Sequence, residues 1–150
     1  MIWSDGAAVG DEWQAAPMSY DLAVWEGERP ADDAAAARCF TDLYDRYVDT
    51  EEPAVPPVEQ IAAFVSALLE RWPDLTEDED DASPWSTGPL IKEARGPLIH
   101  FPMRWSMAGE ASAYAAGVAW SMGLNCFDPQ VRQLIWSPQV TALPAVQIRD

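Results

Sequence analysis

The chain is poor in the residues that most small proteins use for chemistry. It has one histidine, His100, and two cysteines, Cys39 and Cys126. Two thiols are too few for a disulfide framework or an all-thiolate metal site, so both read as reduced core residues. The eight glycines are scattered singly, which excludes the phosphate-cradling loops of the Walker and dinucleotide types. No apolar run approaches the ~20 residues of a membrane-spanning helix, and no basic flank precedes an apolar stretch at the N-terminus. Positive charge is scarce as well. Nine Lys and Arg face 25 Asp and Glu, for a net charge of -16 and a pI near 4.1. Nucleic-acid phosphates and anionic membranes would repel such a surface. The sequence therefore reads as a cytoplasmic protein with no cofactor, no metal, no nucleic-acid partner and no membrane association.

What the chain does have is apolar bulk. Hydrophobic residues make up 49% and aromatics 11% of 150 residues, enough for one folded domain and too apolar for disorder. Residues 1–17 follow neither helical nor strand periodicity and read as a loose N-terminal arm; Met18 is a candidate start. Residues 18–136 form the domain, and 137–150 read as an irregular tail.

Tyr20 to Trp25 is a short β-favouring run. Asp32 and Asp33 then suit a helix start, and Ala36, Phe40, Leu43 and Tyr47 follow at helical spacing. Pro57 opens a second helix with Ile61, Phe64, Val65, Leu68, Leu69 and Trp72 on one face, ended by Pro73. Pro89 to Glu93 and Leu98 to Met103 flank a Gly96-Pro97 turn and suggest a hairpin, with Pro102 ending its second arm as a bulge or exit. Ser106 is placed to cap a third helix whose buried face is mostly alanine, with Gly123 just past its end. Leu124 to Phe127 gives a further strand, Asp128-Pro129-Gln130 a turn, and Val131 to Trp136 an edge strand. The expected architecture is α+β: a two-layer ferredoxin-like βαββαβ sandwich with an extra helix in the first crossover and the helices on one face.

Three segments carry a resemblance: Met18-Ser-Tyr-Asp-Leu-Ala-Val-Trp, Leu68-Leu-Glu-Arg-Trp-Pro-Asp, and Gly123-Leu-Asn-Cys-Phe-Asp-Pro-Gln-Val-Arg-Gln-Leu. From about Met18 to Trp136 the chain resembles a group of small bacterial proteins of uncharacterised function. They open with a Met-Ser-Tyr-Asp-Leu strand and close with a Phe/Tyr-Asp-Pro-Gln turn, and some look like immunity partners of secreted toxins. Abundant alanine and one lysine against eight arginines look like a GC-rich genome such as an actinobacterium's. The resemblance implies a family without implying a reaction.

No catalytic constellation emerges from the residues. His100 sits in an apolar run and reads as a partly buried structural histidine. Asp128 before Pro129 reads as a turn former. The acidic run Glu77, Asp78, Glu79, Asp80 and Asp81 lacks the glycine and closing glutamate of a calcium loop. Trp25, Trp85 and Trp105 fall at strand ends or loops, where half-exposed indoles anchor partners, with core packing as the competing assignment. Together with the acidic run they define a candidate surface for a basic protein partner, the leading expectation being an immunity or antitoxin-like protein. The alternative is a small-molecule-binding or enzymatic domain using His100, Arg104 and Glu110.

Overall fold

The computed structural model describes residues 19–75 and 83–135, so the N-terminal arm, the acidic run 77–81 and the C-terminal tail lie outside the described residues. The fold is α+β. In chain order it comprises β1 (Ser19–Trp25), α1 (Asp33–Tyr47), α2 (Glu59–Arg71), a 3-10 turn (Leu90–Glu93), β2 (Ala94–Arg95), β3 (Leu98–Arg104), a second 3-10 turn (Trp105–Met107), α3 (Ala108–Ser121), β4 (Asn125–Asp128) and β5 (Gln133–Ile135). The strands form one antiparallel sheet in the order β2-β3-β1-β4-β5.

β1 is central and organises the rest. Its residues Leu22, Ala23, Val24 and Trp25 are all buried. Because successive strand side chains point to opposite faces, burial of all four requires cover on both sides of the sheet. Leu22 and Val24 join Ile61, Phe64 and Leu68 of α2 and Ala111, Ala115 and Ala119 of α3 in the larger core. Ala23 and Trp25 join Ala36, Ala37, Phe40 and Leu43 of α1, with Leu98, Phe127 and Leu134 of the sheet, in a second core. The expected two layers are therefore corrected to three, with α1 on one face and α2 and α3 on the other. Cys126 lies in the larger core, where burial pushes its thiol up to about 12.

The helix termini follow local chemistry. Asp32, in extended conformation, caps α1 by accepting from the Ala35 amide at 2.8 Å. α2 starts after Val58, two residues beyond Pro57, and ends at Trp72 before Pro73. α3 has no side-chain cap; the 3-10 turn at Trp105–Met107 leads into it, so Ser106 does not serve as a cap. Its alanine face lets it lie close on the sheet.

The expected hairpin exists, but its first arm is only Ala94–Arg95. Leu90 to Glu93 is a 3-10 turn rather than a strand, because the Asp74 carboxylate accepts from the Leu90 amide at 3.0 Å and Lys92 N–H returns to the Pro89 carbonyl at 3.1 Å. Pro102 does not end β3. Its partner Asp21 directs its own N–H and C=O toward Gln130, away from β3, so the proline's missing donor costs the β1–β3 ladder nothing.

Both edges of the sheet are covered. At β5, Asp33 of α1 accepts from the Leu134 amide at 2.9 Å. Beside β2, the Gly96 amide donates to Val55 at 3.1 Å and the Val58 amide donates to Gly96 at 2.9 Å. Such contacts occupy backbone groups that an edge strand would otherwise present to a second chain. Gly96 has φ +56°, and a Cβ there would lie 2.7 Å from Cε1 of Tyr47.

Two costs thus meet at Gly96, a left-handed backbone and a ring in van der Waals overlap. Gly96→Ala is expected to lower stability by about 2 kcal/mol in urea denaturation. Adding Tyr47→Ala should not worsen the loss additively, since it removes the overlapping ring. Full additivity of the two substitutions would refute the clash.

Candidate functional site

Two of the three segments that carried the resemblance, the first and the last, meet in space. Continuing the β1–β4 register from Ala23↔Phe127 places Pro129 opposite Asp21. Proline has no N–H, so the ladder would stop there. The Gln130 side chain replaces it: its Oε1 accepts from the Asp21 amide at 2.7 Å and its Nε2 donates to the Asp21 carbonyl at 2.8 Å. Asp128 holds that carboxamide in place. Its Oδ1 accepts from Gln130 Nε2 at 2.6 Å and from the Gln130 amide at 2.9 Å, and its Oδ2 accepts from the Tyr20 hydroxyl. Asp128 is 8% exposed. Burial first, then the Asp128 hydrogen bond and charge, raise the Tyr20 pKa above the ordinary phenol range, so Tyr20 stays a donor.

The ring of Tyr20 forms one wall of an open cleft of about 330 Å³, completed by Trp105, Ala108, Gly109 and Ser112. The Tyr20 and Trp105 ring centroids are 5.8 Å apart and tilted by 46°. Trp105 is 50% exposed. The chain re-enters the described structure at Ser83, and the Arg104 amide donates to the Pro84 carbonyl at 2.6 Å. This contact brings the C-terminal flank of the acidic run to the residue before Trp105.

Of the three tryptophans expected to be half exposed, only Trp105 is. Trp25 is 1% exposed, because α1 closes over the end of β1 and stacks Phe40 at 6.5 Å, with Phe127 at 5.9 Å. Trp85 is fully buried, because its segment bridges to Met103 and packs inward against Trp72 and Phe101. These two are core residues.

His100, Arg104 and Glu110 do not converge. His100 lies on the α1 side of the sheet, with the rings of Phe40 at 5.5 Å and Tyr44 at 5.4 Å. Its Nε2 is 3.7 Å from Asp21 Oδ2. Burial lowers its pKa, against the opposing pull of Asp21 and Glu93. Glu110, on α3 across the sheet, pairs with Arg71 at 3.1 Å. Arg104 stands four residues beyond His100 at the end of β3. Among the described residues no group of side chains is arranged to hold a metal, and no helix is long and apolar enough to cross a membrane.

Tyr20, Gly109 and Ser112 were missed as site residues. Strand alternation puts Tyr20 and Asp21 on opposite faces, but small residues opening a helix carry no signal of a cleft until the strand end is placed against them. Comparison with known proteins returned no matching family model, curated protein or solved structure.

Gln130→Ala is expected to cost about 1–2 kcal/mol and to strip hydrogen-exchange protection from the Asp21 amide. Retained protection would show that the carboxamide does not extend the ladder. For His100 the sign follows from its lowered pKa: the unfolded chain takes up a proton near 6.5 before the folded chain does. Its contribution is whole above that pH and declines as pH falls toward the folded value. The stability difference between wild type and His100→Gln should shrink across this interval, and a flat difference curve would contradict burial of the neutral ring.

Proposed function

We propose that this chain is an acidic protein-binding domain that engages a basic protein, in the manner of an immunity or antitoxin-like protein covering its toxin. The observation that carries this reading is Trp105, a half-exposed indole beside a cleft, next to the point where the flank of a five-carboxylate run is tied to the sheet. An exposed aromatic anchor on a chain of net charge -16 is what a desolvated hot spot with electrostatic steering requires.

A second acidic zone adds to the field. Asp42, Asp45, Asp49, Glu51 and Glu52 are exposed along and beyond the C-terminal half of α1, and none of them makes an ion pair among the described residues. The helix dipole disfavours negative charge at that end, so these carboxylates do not serve helix stability. The reading also takes the protein as cytoplasmic, from its composition, and as bacterial, as the resemblance implies. It takes β2-β3-β1-β4 with α2 and α3 as a ferredoxin-like unit, to which α1 and β5 are additions; the strand order supports this.

The test is capture from host-cell lysate by the tagged protein at low and moderate salt. Retention of one stoichiometric basic protein, weakened by salt, is expected. Replacing Glu77, Asp78, Glu79, Asp80 and Asp81 together by their amides should slow association about tenfold, and the difference should vanish at high salt. A bait that retains no basic protein overturns the proposal.

A further inference from the structure

Resting on the protein-binding reading, we propose that the Tyr20–Trp105 cleft receives an arginine side chain of the partner. The molecule already shows how it uses guanidinium groups. Arg29 lies over the Trp120 ring at 4.8 Å, and Arg71 lies over Trp72 at 4.3 Å. Trp105 is more exposed than either indole, yet no arginine of the described residues lies over it.

The second ring of the cleft is tuned for a cation. Tyr20 donates its hydroxyl proton to the carboxylate of Asp128, which is buried and held on its other oxygen by Gln130. A phenol hydrogen-bonded to a carboxylate carries a more electron-rich ring, and electron-rich faces attract cations. A planar guanidinium also stacks flat on an exposed indole face better than a compact, strongly hydrated ammonium does.

The start of α3 also lines the cleft, and a helix N-terminus ordinarily attracts anions. Here the Ala108 amide is already engaged by the Trp105 carbonyl, and Glu110 places a negative charge in the first turn. With a net charge of -16 on the chain, the balance at this cleft favours a cation. Ala108 and Gly109 keep the opposite wall low, leaving room for the aliphatic stem of the incoming side chain.

The probe is an acetylated, amidated Gly-Arg-Gly-Arg-Gly peptide, compared with its lysine, citrulline and glutamate counterparts. Titration is followed by the indole N–H resonance of Trp105, assigned by its loss in Trp105→Ala. The arginine peptide should bind about tenfold more tightly than the neutral citrulline peptide and several-fold more tightly than the lysine peptide. Shifts should centre on Trp105 and Ser112. Trp105→Ala should weaken binding about tenfold while leaving the far-ultraviolet spectrum unchanged. Gly109→Leu provides a second variant that fills the cleft without a clash, since a Cβ at Gly109 meets nothing within 4 Å; it should weaken binding to a similar degree.

Preference for the glutamate peptide, shifts confined to other surfaces, or unchanged affinity in both variants would overturn the assignment. If lysate capture retains a basic protein whose affinity survives both substitutions, the cleft assignment fails and the protein-binding reading stands. If no basic protein is retained, that reading fails whatever the peptide does.

Discussion

Everything in this fold depends on a central strand that must be dry on both faces. Four consecutive buried residues, Leu22 to Trp25, cannot be covered by one layer of helices. The chain answers with α2 and α3 on one side and α1 on the other. Each helix is suited to its face. α2 brings Ile61, Phe64 and Leu68; α3 brings alanines that allow close approach; α1 brings alanines at its start and Phe40 farther along, against the indole of Trp25. The same closure turns Trp25 from a candidate anchor into part of the core.

The lower end of β1 is finished by side chains. Pro129 ends the ordinary ladder, and Gln130 substitutes a carboxamide for a peptide group opposite Asp21, aligned by Asp128. Tyr20, one residue away and on the other face, ties to the same Asp128 and offers its ring to the cleft with Trp105. Sheet termination and the candidate interface are therefore one structure. The buried carboxylate that holds the turn also polarises a wall of the cleft, so the acid that read as a turn former serves both purposes.

Charge is divided by function. Asp32 and Asp33 serve the fold, one capping α1 and the other closing the edge of β5. Asp74 receives the Leu90 amide. Asp42, Asp45, Asp49, Glu51 and Glu52 do neither and stand in solvent at the unfavourable end of a helix dipole. These five carboxylates add to the negative field of the surface rather than to the cohesion of the fold.

The three helices, the hairpin turn, the last two strands and the Asp-Pro-Gln turn were legible because each rests on local rules: apolar spacing of three and four residues, proline at boundaries, glycine where φ is positive. The partial burial of His100 was legible because it lies in an apolar run. The number of layers was not, because periodicity says that a helix has a buried face and not which side of the sheet it meets. The 3-10 turn at Leu90 depended on Asp74, sixteen residues away, and the burial of Trp85 depended on Met103. The candidate site was half legible. Sequence by itself determined the acidity and the presence of tryptophans whose exposure it left open. Only tertiary structure decided that Trp105 faces solvent while Trp25 and Trp85 do not, and that Tyr20 joins it, because exposure belongs to the packing of distant segments rather than to any residue's own neighbours.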